Sequence, residues 1–451
     1  MKIETFTFPN GFRVIYEKSS NNLPVTSIFL FCEFGSIYET EGIRGVAHFI
    51  EHMTFKGTKK IPTPKNIFIE YDKIGAYFNA FTEKQYTGYI IKCDTPHIEN
   101  SLNILSDMML HSTFNKKEFK KEEQVVIEEN IKDNDDHEDL LYGNMDKLLY
   151  KGSPYEYPID NIEYHKKLFD YDKVIETYQS WYTPNNMVLS IVSNISFENI
   201  KKSIKKTFFS KPFIGKTLKL LNANIGRNVE RNIGSIGCSL SNDGNIKYNI
   251  QKKVGMDTTH LCIGFKVNSN DKYVLKLLKT ILSGPMGARL FMVLRDENGL
   301  TYSSNITTTF FKDIGHLIIY AETNNKKIIK YGNKMGVIPL LIKLLNDLIE
   351  KGVNANEICI SKGYFKGSMN IELEDNDTTA KYNGKQLLLN LNEKITPLCG
   401  VFDTYYKNIT KTQLDTVIRK YFKKSNMNVC LIGEHIPSLK EIQRECEKLK
   451  K

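Results

Sequence analysis

The chain has no stretch of 18 apolar residues, so no helix that crosses a bilayer is expected. It has no block of Lys and Arg and no basic patch interleaved with aromatics. The net charge of +10 is spread along the chain, which makes nucleic acid a poor expectation as a partner. C-x-x-C spacing is missing too. The 8 cysteines, at 32, 93, 238, 262, 359, 399, 430 and 446, are scattered, which argues against a disulfide framework or a cysteine zinc site and for reduced thiols in a cytoplasmic setting. No signal or Arg-rich transit segment is expected from the opening MKIETFTFPNGFRVIYE, which passes straight into strand-like alternation, with Phe12, Val14 and Tyr16 on one face. Apolar material is not short, since 41% hydrophobic and 25% charged residues over 451 positions suit a globular chain of two or three domains.

What is present is concentrated at Gly45-Val46-Ala47-His48-Phe49-Ile50-Glu51-His52-Met53-Thr54-Phe55. In a helix, the 3.6-residue period sets His48 and His52 one turn apart on one face, with Glu51 on the same side. Val46, Phe49, Ile50 and Met53 supply an apolar stripe. A histidine pair in such a stripe is either a satisfied core pair or a pair of ligands, and Glu51, which a core would not hold unpaired, favours ligands. Two neutral imidazoles suit Zn²⁺, with a third protein ligand supplied from elsewhere and a fourth position left for water. The order H-x-x-E-H is the inverted form of the zinc-protease motif H-E-x-x-H, in which the carboxylate serves as a base and not as a ligand.

Along the chain, a buried strand is expected over Val25 to Phe34, a strand pair over 75–82 and 86–93, and helices from Pro96 to Phe114 and from an Asn115 cap to about Lys132. On the second of these helices Phe119, Glu122, Val126 and Glu129 share a face. Either the two carboxylates meet something cationic in the interior, or the stripe is displaced by one step and they are solvated, with Glu118, Glu123 and Glu128 nearby. A further helix is expected over 132–150. Between 211 and 253 the composition turns to Gly, Asn and Ser, which reads as a long linker with room for small strands.

After the linker the pattern restarts, with a strand over 259–267, helices over roughly 272–282 and 288–298, and strands near 302–311 and 316–322. Tyr178-Gln179-Ser180-Trp181-Tyr182 leads into Asn186-Met187 and a strand, as Arg419-Lys420-Tyr421-Phe422 leads into Asn426-Met427 and a strand. The expected fold is therefore α+β, as two homologous α/β domains with antiparallel-rich sheets covered by helices: 1–210, a linker over 211–253, and 254–451. Only the first copy carries H-x-x-E-H; where the second would have it, Gly284-Pro285-Met286-Gly287 stands.

These residues resemble the pitrilysin, insulysin and mitochondrial processing peptidase family of inverted-motif zinc peptidases. HFIEHMTFKGT at 48–58 is similar to the family signature nearly throughout, and EEQVVIEE at 122–129 is similar to the segment that brings the third ligand. The resemblance implies one Zn²⁺ per chain held by His48, His52 and Glu129, with Glu51 as the catalytic base and Glu122 as a second carboxylate serving the site. It also implies an edge strand at Asn79 and Ala80 where an extended substrate adds, and peptide contacts from Arg295 and Tyr302, seven apart. The implied activity is a zinc metalloendopeptidase acting on extended peptides or presequences in a chamber, in a homodimer or a heterodimer with a related subunit. The alternative is a non-catalytic scaffold subunit, since the family includes members that lost the site and only hold a partner.

Overall fold

A computed structural model describes residues 3–21, 23–159, 169–211, 244–389 and 394–450, apart from the Asn134 side chain. The first sheet contains β1 (Ile3–Thr7), β2 (Arg13–Lys18), β3 (Val25–Cys32), β4 (Tyr77–Thr82), β5 (Thr87–Asp94) and β6 (Met187–Ser193), in the order β1-β2-β6-β3-β5-β4. Neighbours are antiparallel except β2 and β6. The central strands β3 and β6 are buried almost end to end, because both faces of the sheet are covered; that is why Val25–Cys32 reads as an unbroken apolar run and not as an alternation. The helices of this stretch are α1 (Val46–Thr54), α2 (Pro64–Asp72), α3 (Ile98–His111), α4 (Lys116–Asp135), α5 (His137–Leu149), α6 (Tyr171–Trp181) and α7 (Phe197–Lys205).

The second sheet has β7 (Lys247–Lys252), β8 (Thr258–Asn268), β9 (Thr301–Phe310) and β10 (Ile314–Asn324), then a small hairpin of β11 (Lys330–Tyr331) and β12 (Lys334–Met335), and finally β13 (Met427–Gly433). Its order is β7-β13-β8-β10-β9, with β7 and β13 parallel. The helices are α8 (Lys272–Ser283), α9 (Arg289–Phe291, widening into a π turn over Met292–Asp296), α10 (Val337–Lys351), α11 (Ala355–Glu372), α12 (Asn376–Leu389), α13 (Lys411–Tyr421) and α14 (Leu439–Cys446). Leaving out β1 and the small hairpin, the two sheets have the same connectivity and strand directions.

The repeated Asn-Met pairs have a repeated job. The Asn186 amide donates to the carbonyls of Trp181 (3.0 Å) and Glu33 (3.3 Å), and the Asn426 amide donates to those of Tyr421 (3.0 Å) and Lys266 (2.9 Å). In both halves the side chain ties the end of a helix to the sheet. Topology corrects one detail of the comparison, however. The element that follows β8, as α1 follows β3, is α8, and Gly284-Pro285-Met286-Gly287 forms the turn beyond it.

By contacts the chain divides into two units, and each includes one helix from the other's stretch of sequence. Asp133–Glu156, with α5, belongs to the second unit, and Met369–Gly400, with α12, to the first. The two are equivalent: α5 is the third helix after β5, and α12 the third after β10. On α12, the Asn383 amide donates to Glu17 (2.7 Å), Asp377 accepts from Ser27 (2.5 Å), and Gly384 lies so close to Phe31 and Ser190 that a Cβ would sit 2.3 Å from the Phe31 ring. On α5, Met145 presses its sulfur against Gly264 of β8. The division at 211–253 follows sequence, whereas the units follow packing. Of that expected linker, 212–243 lies outside the described residues and 247–252 is β7.

Candidate metal centre

Helix α1 is held from three directions. Gly45, at φ 85°, turns the chain into it, and the Glu39 carboxylate accepts the N–H groups of Gly45 (2.7 Å) and Ala47 (2.8 Å). A carboxylate at a helix N-terminus satisfies orphan donors and opposes the positive end of the dipole. Val46, Phe49, Ile50 and Met53 are fully buried, and Phe49 meets Phe119 of α4 edge to face at 4.8 Å. Beyond α1, Gly57 at φ 125° lies against the Pro62 carbonyl, where a Cβ would stand 2.4 Å away, and Thr58 donates to Asp107 of α3. Those two positions explain why the FKGT stretch has Gly and Thr where it does.

On α4, Asn115 accepts the Lys117 N–H at 2.8 Å, as its expected capping role requires. Phe119, Glu122 and Val126 are buried and Glu129 is half-exposed, so the stripe of the second reading, displaced by one step, does not occur. His48, His52 and Glu129 offer ligand atoms that all lie within 4.8 Å of one another. His52 Nε2 is 3.1 Å from His48 Nε2 and 3.4 Å from Glu129 Oε2. Donors about 2.0–2.1 Å from a tetrahedral Zn²⁺ stand about 3.3 Å apart, so the spacing and the two-imidazole, one-carboxylate donor set fit that ion.

Glu122 reaches the same imidazole from behind. Its Oε1 is 2.8 Å from His52 Nδ1 and its Oε2 is 2.6 Å from Lys56 Nζ. A carboxylate accepts, so Nδ1 carries the proton and Nε2 turns its lone pair toward His48 and Glu129. Burial works to raise the Glu122 carboxyl, but His52 and Lys56 outweigh it and hold the group below its usual value. Such a partner behind a ligating histidine fixes tautomer and ring orientation.

Glu51 is buried beside His52, and its Oε2 accepts from the Thr82 hydroxyl at 2.5 Å. Below it, burial first and the Glu51 charge second push the Tyr89 phenol well above its ordinary value. Asn79 and Ala80 lie on β4, the edge strand, where the Asn79 side-chain amide oxygen accepts the Ala80 N–H at 2.8 Å. Arg295 and Tyr302 belong to the second unit, both exposed, with the guanidinium 3.4 Å from the Tyr302 carbonyl. Tyr302 is not a core residue.

Over residues 13–161 the sequence matches the family described as insulinase (peptidase family M16), and over 169–362 the peptidase M16 inactive domain. An uncharacterized zinc protease of Bacillus subtilis is 32% identical over 392 residues, 86% of this chain and 88% of that one. The chain belongs to peptidase family M16. Another M16 relative, the mitochondrial-processing peptidase subunit beta of Caenorhabditis elegans, is 34% identical over 206 residues, 45% of this chain and 43% of that one. Among solved structures, a protease from Helicobacter pylori superposes with a TM-score of 0.81 at 20% identity, covering 96% of this chain and 99% of that one. A periplasmic protease of Escherichia coli, PqqL, superposes with a TM-score of 0.76 at 17% identity, covering all of this chain and 50% of that one. These two similarities speak for the shared M16 fold.

Three residues of the site were not singled out from sequence. Lys56 stands four after His52, so a helical projection carried one turn further would have put it near the metal face. Thr82 shares a strand face with Phe78 and Ala80, but alternation does not say which helix that face meets. Glu39 precedes α1 by a loop, and nothing in the local pattern marks it as a cap.

Proposed function

We propose that this M16 protein is a zinc-dependent metalloendopeptidase that hydrolyses bonds within extended peptides or presequences. The observation that carries the reading is the convergence of His48, His52 and Glu129 donors with a buried carboxylate, Glu51, beside them. Bound there, Zn²⁺ would supply a Lewis acid for the scissile carbonyl and acidify a water. Glu51 would take the proton of that water and pass it to the leaving amine. Glu122, charged and backed by Lys56, keeps His52 in the ligating tautomer and orientation. Backbone groups of β4 would receive the substrate as an added strand, a mode that reads main chain more than side chain. Arg295 and Tyr302, exposed next to each other on the second unit, are proposed to bind the peptide. The working form is proposed to be a pair, of two copies or with a related subunit, and light scattering across working concentrations tests it.

The deciding experiment replaces Glu51 with Gln. Zinc content by plasma emission should stay at one per chain, while cleavage of a quenched fluorescent peptide library should fall by at least roughly 100-fold, the lower range for a lost general base. Retained hydrolysis with stoichiometric zinc would remove Glu51 from the mechanism. A wild-type protein that binds no zinc would leave a scaffold role.

A further inference from the structure

Thr82 is the last residue of β4, and its two ends face different partners. Its side chain shares the strand face of Phe78, which stacks on Tyr71 of α2 at 4.4 Å, and from that face the hydroxyl donates to Glu51 Oε2 at 2.5 Å. Its backbone faces the other way. The hairpin closes with the Glu83 N–H on the Tyr86 carbonyl at 2.8 Å, and Thr82 lies opposite Thr87 at the next step of the ladder. Hydrogen-bonded and non-hydrogen-bonded pairs alternate along an antiparallel ladder, so Thr82, like Ala80 and Phe78, turns its N–H and C=O to the outer edge. One residue thus touches the buried carboxylate with its side chain and offers its main chain to whatever adds to β4.

We propose that Thr82 is a positioning residue for the reaction proposed above: its hydroxyl fixes the rotamer of Glu51, and its main chain sets the register of the peptide against that carboxylate. A charge-assisted bond to a buried carboxylate holds it more firmly than a neutral one, and general-base catalysis is sensitive to displacements near 1 Å. Thr82→Val keeps the shape and the strand preference and removes only the donor. It should lower kcat roughly 10- to 100-fold with KM, zinc stoichiometry and the affinity for a non-hydrolysable peptide within about twofold. Thr82→Ala should behave the same way, and Thr82→Ser should restore kcat to within about threefold, because it returns the hydroxyl.

A readout independent of turnover is available in the metal-free protein. There Thr82→Val should lower Tm by about 2 °C, the shift expected for a bond of this size in a large protein, and the same change in a Glu51→Leu background should lower it by less than half as much. The proposal is overturned if Thr82→Val or Thr82→Ala retains kcat, if Ser does not restore it, if zinc or peptide affinity falls in step with kcat, or if the Tm loss persists without Glu51. A wild-type protein that binds zinc yet cleaves no peptide would instead refute the peptidase reading, while the melting comparison still tests whether Thr82 holds Glu51.

Discussion

The two halves use one connectivity for different chemistry. In the first, α1 follows β3 and brings His48, Glu51 and His52 to face Glu122 and Glu129 of α4. In the second, α8 follows β8 and its charged side chains are Lys272, Lys276 and Lys279, with no histidine or carboxylate. The counterpart of α4 is α11, where Glu357 grips Arg289 of α9 in a bidentate ion pair (Nε to Oε1 2.5 Å, Nη2 to Oε2 2.7 Å). Both halves therefore tie the late helix to an earlier one through a carboxylate. Only in the first does that carboxylate lie behind an imidazole whose other nitrogen points at further donors, so the architecture is common to both and the site is a matter of a few side chains.

The comparison breaks most sharply at Glu129. Replacement by Ala should reduce zinc affinity by more than the roughly 100-fold that outer partners of a ligand contribute, read by competition with a chromophoric chelator, and peptide hydrolysis should be lost with it. Glu122→Gln comes next: the imidazole keeps a neutral partner, so zinc affinity should fall about 10- to 100-fold while the fold survives. If Glu122→Gln were as harmful as Glu129→Ala, Glu122 would have to be counted among the ligands.

Smaller effects separate the two exchanged helices. At Gly384 a methyl group meets the rigid Phe31 ring at 2.3 Å and Ser190 Cβ at 2.9 Å, so Gly384→Ala should cost about 1–3 kcal/mol in urea unfolding. At Gly264 the nearest atom is the Met145 sulfur, at the movable end of a flexible side chain, and Gly264→Ala should cost less than about 1 kcal/mol. Equal costs would mean that α5 and α12 press on their sheets alike.

The last comparison concerns pH. Burial works to raise the Glu357 carboxyl, and the Arg289 guanidinium and the Asn354 N–H outweigh it, holding the group below its usual value. A carboxyl depressed in the folded state stabilises above its unfolded value and loses that contribution as pH falls through the folded one. Glu357→Gln should therefore cost about 1 kcal/mol near neutral pH, and the difference from wild type should vanish below the ordinary carboxylate range.

Much of this was legible in the residues. Period 3.6 placed His48, Glu51 and His52 together and set Phe119, Glu122, Val126 and Glu129 on one face, because apolar neighbours marked the stripe in both helices. The strands were legible for the same reason, and the resemblance resolved the direction of the carboxylates. What failed was anything whose buried face is not apolar. The buried residues of α12 are Asn376, Thr379, Ala380, Asn383, Gly384 and Leu388, small and polar groups that let the helix lie close to the sheet, and hydrophobic periodicity passes over them. Nor does a stripe name its partner, so the pattern over 132–150 gave a helix without revealing that it covers the second sheet. Within the 211–253 stretch, the half-exposed and exposed residues of the short strand 247–252 carry little signal.

The reciprocal placement of α5 and α12 sets a timetable for synthesis. About 200 residues must leave the ribosome between the end of β6 and the end of α12, which at cellular elongation rates takes roughly 10–40 s. During that interval Phe29, Phe31 and Val188, which α12 helps to cover, have no lid of their own. The nascent first sheet thus keeps that apolar face open until α12 has emerged, and a chain halted before Asn376 presents an adhesive surface rather than a finished unit.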